Sequence, residues 1–504
     1  MKLGAAFVFV LLLLMASSLA RAEVISYPRV PGDAANLDYP SVKVNGTAID
    51  TCSTAMNVGY AHCAFPDKAE IEITTREPIK TFDISPHRAG VVAKAVGNKL
   101  VFTLAKPVHL HISVNQLPRF FLFTEEPESS VPKVGEDGVF ELTALGVRSS
   151  PEEVQTKQLQ RAIDEVSARK GTLLIPPGIY RTGELQLKSH LTLYLAPGAV
   201  LKGTGKIADH PRSDLGTQLL LLQDCEDVHI QGRGVIDGQG RQLRLSGENS
   251  SNSRSKLLRS MRARNITVEG VILRDAGTWG VHLIESEDLR FTNVKLISNT
   301  RHDDPTFPWE MNTDGFDPDN SSRVLIERCF ISSNDDSIAV KLRYGTRRDC
   351  SSIVFRNNIC WTVKSALKIG SEVYEKKLSD VTFENNDVIR ADRGIVVYAY
   401  DGATVEKAVW RGNHYEFIGG DTKRMLMEIK LNEDDGKGQL RDLLIQNETF
   451  ESEAETPSKL QGLDATHQLE NVTFDNLVIA GKKRLSAAEA RIEISRHVGE
   501  VRFK

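Results

Sequence analysis

After residue 15 the chain has no uninterrupted apolar run approaching the ~18 residues that a membrane-crossing helix requires, which excludes a multi-helix membrane protein. It has no Cys-x-x-Cys pair, the commonest half of a structural zinc site, and no long run of Lys and Arg that could follow a phosphate backbone. Its 63 basic and 67 acidic side chains leave a net charge of -4, so nucleic acid is not an expected partner. Aromatic residues make up only 7% of the chain, yet 40% is hydrophobic and 26% charged. Over 504 residues that composition builds several cores or a solenoid and is too apolar for a disordered polymer.

The one apolar run, Ala5 to Met15, follows Met1-Lys2 and precedes Ala20-Arg21-Ala22, whose small residues fit a signal-peptidase site. Residues 1–22 therefore read as a secretory signal removed after Ala22. The expected product is a soluble, secreted or periplasmic monomer with no membrane partner; losing Lys2 and Arg21 takes its charge from -4 to -6. Export permits disulfides. Cys52 and Cys63 form the one local pair, whereas Cys225, Cys329, Cys350 and Cys360 suit bridges and buried thiols equally. Sequons stand at Asn45, Asn249, Asn265, Asn320, Asn447 and Asn471.

From residue 225 onward a short alternating pattern recurs at Val228, Ile266, Leu289, Val324, Ile353, Val381, Ala408, Leu443 and Val472, in steps of 23 to 38 residues. Such steps suit one solenoid coil plus a loop of variable length. Four residues after each start come Gly232, Gly270, Asn293, Arg328, Asn357, Asn385, Gly412, Asn447 and Asn476. Gly and Asn tolerate positive φ, which a sharp corner between two strands demands. Stacked in register, such coils can run an Asn ladder along the corners over rows of Val, Ile and Phe. The pattern predicts a parallel β-helix, and it gives Asn265 and Asn447 a structural reason to be Asn.

Upstream, Ser150-Pro151-Glu152-Glu153 reads as a capping box opening a helix with Val154, Leu159, Ile163 and Val166 on one face, ended near Gly171. Such a helix can cover the open end of a solenoid. Residues 23–125 show short alternating runs without the corner repeat, which predicts a small antiparallel β-sandwich. Glu125-Glu-Pro-Glu-Ser-Ser-Val-Pro reads as its junction with a β-helix domain over 139–504.

The chemistry-bearing residues gather on consecutive coils. Asn312-Thr-Asp314-Gly-Phe-Asp317 is followed, 21 residues after Asp314, by Asp335-Asp336. Equivalent positions on adjacent coils lie ~4.8 Å apart, so these acids should cluster, with Asp335 and Asp336 in a turn, because neighbours on a regular strand face opposite ways. Crowded carboxylates raise at least one pKa. Hydrolysing a glycosidic bond needs one carboxyl to protonate the leaving oxygen and another, ionised, to take a proton from water.

These motifs resemble family 28 glycoside hydrolases, the polygalacturonases and their relatives, over about residues 139–480, including Pro176-Pro-Gly-Ile-Tyr180. The resemblance implies an all-β, right-handed parallel β-helix of the pectin lyase-like kind. It also implies inverting hydrolysis without a cofactor or metal, with Asp314, Asp335 and Asp336 as the candidate catalytic residues and Asp336 the better general acid. The chain departs from that pattern at Ser365, where the family has His, and at Val396-Val397-Tyr398, where it has Arg-Ile-Lys to grip a uronate.

Candidate substrate-binding residues are His282, Trp309, Asn312, Asp317, Lys341, Lys368, Glu372, Tyr398 and Tyr400, with Trp279, Tyr344 and Tyr374 in the same coils. Lys341 and Lys368 can meet a uronate or simply balance the acids. His302-Asp303-Asp304 reads as a solvated loop rather than a metal site. The expected partner is a polysaccharide. Alternatives are a neutral-glucan hydrolase, as in the dextranase and isopullulanase family 49 that a front sandwich plus β-helix also resembles; a lyase using a base such as Lys368; and a non-catalytic carbohydrate-binding solenoid.

Overall fold

The computed structural model describes residues 23–504 except 30–32, 34–38, 55–57, 212–215, 246–253, 299–311, 344, 347 and 420–421. The signal reading at 1–22, the sequon at Asn249, Trp309, Tyr344 and His302-Asp303-Asp304 lie outside the described residues.

From Val139 onward the chain winds through three long sheets of 13, 13 and 11 strands, each strand pairing with its counterpart one coil away. Every pairing within these sheets is parallel except the last in the second sheet. All nine sequence repeats fall in consecutive strands of the first sheet, from Glu226–Gly232 to Leu469–Asp475. All nine corner residues adopt positive φ, between 53° and 111°, Arg328 included. Rows such as Ile266–Leu289–Val324–Ile353–Val381 stack in register and are buried, giving one continuous core.

The buried ladder runs one position beyond the corners. Asn358 Nδ2 donates to Asn386 Oδ1 (3.1 Å), Asn386 Nδ2 to Asn413 Oδ1 (2.8 Å), and Asn413 Nδ2 to Glu448 Oε1 (3.0 Å). Of the corner residues themselves, Asn476 donates to Asn447 at the surface. The corner must turn its own side chain outward, so the following residue is the one aimed inside. Burial pushes the ladder's last member, Glu448, up to about 8 from 4.5. The folded chain therefore holds a proton that the unfolded chain gives up above pH 4.5, and stability falls as pH rises between those values. Glu448→Gln keeps the acceptor and removes the titration. In urea unfolding it should match the parent near pH 4 and exceed it at pH 9 by roughly 2–4 kcal/mol.

The capping helix spans Thr156–Ala168 with Leu159, Ala162, Ile163 and Val166 buried. Its start differs from the sequence expectation. Ser150 Oγ does accept from the Glu152 and Glu153 amides, at 3.3 and 3.0 Å, but Ser150–Val154 is a strand paired with Gly178–Thr182 and Val154 is exposed. Sheet pairing outcompetes a local cap there. The left-handed residue that ends the helix is Lys170, while Gly171 provides clearance, since a Cβ there would sit 2.7 Å from Phe140.

Residues 23–125 form a six-stranded and a five-stranded sheet around their own core. The smaller is antiparallel throughout, but Gly59–Ala64 and Phe120–Glu125 run parallel, so the larger is mixed. Cys52 and Cys63 are unbridged, as are the other four cysteines. Cys52 lies opposite Tyr60 and faces the β-helix; Cys63, three residues further along that strand, points to the opposite side, into the sandwich core.

The sandwich packs Tyr60, Phe121 and Phe123 on the outer face of the second sheet, at Ile272, Ile297, Phe330 and Ile359. Phe330 meets Phe121 at 4.6 Å and Phe123 at 5.2 Å between ring centroids. Glu125, read as the start of a linker, is instead buried among His62, Asn293, Arg233 (2.9 Å) and Lys295 (3.1 Å), and despite burial Lys295, His62 and Arg233 hold it well below the usual carboxylate range. With the second sheet covered, the outer faces of the first and third remain open, and the acids lie at the third.

Candidate active site

Three strands of the third sheet, Phe316–Asp319, Ile338–Leu342 and Ser365–Val373, align Phe316, Ile338 and Leu367 as an inward column. The acids sit in the turns entering these strands. Gly315 N donates to the Asp336 carbonyl at 2.9 Å and Phe316 N to that of Ser337 at 3.1 Å, which draws the two turns together. A Cβ at Gly315 would lie 2.4 Å from the Ser337 carbonyl oxygen, so that approach needs glycine. As a result one carboxylate oxygen each from Asp314, Asp335 and Asp336 lies within 4.8 Å of the others.

Each acid is held differently. Asp335 accepts from the Asn312 amide (2.9 Å) and the Asp336 amide (3.0 Å), and of the three it alone is partly exposed. Asp336 Oδ1 accepts from the Ser365 amide at 2.9 Å and Oδ2 from Lys368 Nζ at 2.6 Å. Asp314 is buried, 3.8 Å from Lys341 Nζ, and its Oδ1 has no hydrogen-bond partner. Lys341 also reaches Asp317 (3.0 Å) and Glu372 (3.4 Å) and lies 3.7 Å from the centre of the Trp279 ring.

These surroundings push the proton affinities apart. Burial, then the charges of Asp317 and Asp335, raise Asp314 well above the ordinary carboxylate value, and burial followed by Asp336 raises Asp335. Burial would raise Asp336 too, but Lys368 and Arg393 outweigh it and hold this carboxyl low. Burial brings Asp317 up to about 6 against the pull of Lys341. The cluster can thus hold a proton on Asp314 or Asp335 while Asp336 stays ionised. Asp336, the expected general acid, is the member of the cluster on whose carboxylate Lys368 sits. The three acids are also close enough to share a metal ion, although the Lys368 ammonium already occupies one side of that position.

Asn312, Asp317, Lys341, Lys368 and Glu372 all join this cluster. His282 does not line the cleft: it is fully buried, with Nε2 3.1 Å from Asp319, and burial followed by Lys256 and Arg259 keeps it neutral. Tyr398 and Tyr400 stack at 4.9 Å on Arg393–Asp401, with Lys368 Nζ 5.5 Å from the Tyr398 ring. Sequence reasoning missed Arg393, whose Nη1 donates to Tyr398 Oη at 2.9 Å, and Lys430, in register with Tyr398. Cations therefore flank the Val396-Val397-Tyr398 segment although the segment itself has none. For Lys430 strand parity was the available signal, since Lys368 pairs with Val396 and Tyr398, two positions on, with Lys430; Arg393, at the opposite parity, gave none.

Residues 167–415 match the model of glycosyl hydrolases family 28. A Vitis vinifera protein described as a probable polygalacturonase is 29% identical over 271 residues, covering 48% of this chain and 53% of its own length. The chain spans about half the length of the curated relatives it matches. The Yersinia enterocolitica family 28 exopolygalacturonase superposes with a TM-score of 0.59 at 17% identity, over 92% of this chain and 99% of that one. Dex49A from Penicillium minioluteum gives 0.60 at 13% identity, over 95% and 96%. These likenesses establish the fold, a right-handed parallel β-helix. Residues 167–415, the stretch similar to the family 28 glycosyl hydrolases, supply every carboxylate of the cluster.

Proposed function

We propose that this chain is an exported, polygalacturonase-like hydrolase of uronic-acid polysaccharide that cleaves by acid/base attack of water with inversion. The observation that carries the reading is the split of proton affinities within one cluster: Asp335 raised and reachable from solvent, Asp336 beside it held ionised. Asp335 protonates the leaving glycosidic oxygen. Asp336 takes the proton of the attacking water, and Asp314 orients that water and passes the proton within the cluster.

The carboxyl oxygens lie closer than the about 6.5–9.5 Å usual for inverting pairs. Inversion follows from the family resemblance, with water as the nucleophile: Asp336 accepts one hydrogen bond on each oxygen, from the Ser365 amide and from Lys368, and keeps a lone pair to take the water's proton. A lyase reading is disfavoured because Lys368 Nζ is committed to Asp336. A neutral-glucan reading is disfavoured by the density of cations along the cleft. Residues 1–22 serve as the export signal and are removed in the mature enzyme.

Purified protein should release new reducing ends from polygalacturonate, with no ultraviolet-absorbing unsaturated product and little action on dextran. Release of unsaturated product, or preference for dextran, would overturn the reading.

A further inference from the structure

On the N-terminal side of the acids, two coils earlier, the third sheet carries Ser255–Met261. At ~4.8 Å per coil this strand lies ~10 Å from the Phe316–Asp319 strand, about two sugar units along a bound chain. Arg259 pairs in register with His282, and His282 with Asp317, so all three stand on one outward column.

Around Arg259 three cations gather: Arg343 lies 3.7 Å from Asp319, while Lys256 and Arg259 make no ion pair among the described residues. A Cβ built at Gly216 would be 3.8 Å from both Arg259 Nη2 and Lys256 Nζ, which brings the guanidinium and ammonium to one place. Lys256 Nζ lies 5.2 Å from the centre of the Trp279 ring, the ring that Lys341 covers beside Asp314. Arg343, about one-third exposed, adds a third cation. The neighbouring acids are already engaged: Asp319 with His282 and Arg343, Asp317 with Lys341, and Glu184 with Gln218. Arg259 is 1% exposed and donates from Nη1 to Gln218 at 3.0 Å, but its Nε and Nη2 are buried with no acceptor among the described residues. Buried donors without acceptors are costly. Burial, followed by the charges of Arg259 and Arg343, pushes Lys256 down to about 7.

We infer that Lys256, Arg259 and Arg343 form an anion-binding subsite, floored by Trp279, that takes the carboxylate of a uronic-acid unit about two positions from the scissile bond. This rests on the hydrolase reading above and supplies the carboxylate recognition that residues 396–398 lack.

The test uses the full chain carrying Asp335→Asn, so that ligand is not consumed, and calorimetric titration with tetragalacturonate and with its fully methyl-esterified form. The acid should bind at least tenfold more tightly than the ester. Lys256→Met and Arg343→Met, each added to that background, should weaken the acid about five- to tenfold and leave the ester within twofold, while Lys256→Arg retains most of the affinity. Equal affinity of the parent for acid and ester overturns the inference, as does equal weakening of both ligands in the variants. Failure of the hydrolase reading would appear separately, as absence of turnover by the unsubstituted enzyme on polygalacturonate.

Discussion

Asp335→Asn should lower kcat on polygalacturonate by about three orders of magnitude or more, with thermal unfolding within a few degrees of the parent. The side chain keeps its shape, and an amide can still accept from the Asn312 amide, which binds the carboxylate at 2.9 Å. What is lost is the proton for the leaving oxygen. Asp336→Asn should cost a comparable factor, since an amide cannot take a proton from water, but it also leaves Lys368 without its carboxylate 2.6 Å away. The double variant should be little worse than either single one, because groups that act as a unit do not contribute additively. A non-catalytic carbohydrate-binding solenoid predicts no turnover to lose.

Arg274→Met should destabilise the protein by about 3–5 kcal/mol, the range for breaking a buried ion pair from one side. Arg274 is 2% exposed; it donates from Nε to Asp237 at 2.8 Å, from Nη2 to Asp33 at 2.6 Å, and from Nη1 to Tyr60 Oη at 3.1 Å. Asp237 belongs to the β-helix, whereas Asp33 and Tyr60 belong to the sandwich, so this guanidinium, like Glu125 with Arg233 and Lys295, joins the two electrostatically. Removing it strands two buried carboxylates. Adding Asp33→Asn and Asp237→Asn to Arg274→Met should recover much of the loss, since the penalty comes from unpaired charge rather than from the missing contact. Chemical unfolding checks both, and a second, earlier transition in Arg274→Met would mark release of the sandwich.

What the sequence made legible depended on whether one residue type suffices for the job. Corners at positive φ select Gly or Asn, and even Arg328 was found because the eight others fixed the register. The acids were legible because Asp314 and Asp335 are separated by about one coil. The Asn358–Asn386–Asn413–Glu448 ladder was placed one residue too early, since a pattern of Asn cannot tell an outward corner from an inward neighbour. Ser150 misled because its hydrogen bonds are those of a cap while its backbone pairs with Tyr180. Cys52 and Cys63 looked like partners because they are close in sequence, yet alternation along Gly59–Ala64 turns Cys63 away. The subsite cations and Arg393 were hidden because their neighbours belong to other coils, and only strand register reveals which side chains share a face.

The central claim, that Asp336 works ionised because Lys368 holds it so while Asp335 keeps the proton, is tested most directly by the pH dependence of kcat/KM for the parent and Lys368→Met. The parent should give a bell, its acidic limb set by an Asp336 held below the usual carboxylate range and its basic limb by the raised pair Asp314 and Asp335. Without the ammonium 2.6 Å away, Asp336 should bind its proton more tightly and the acidic limb should move to higher pH. An acidic limb that stays in place in a folded Lys368→Met enzyme would contradict the account.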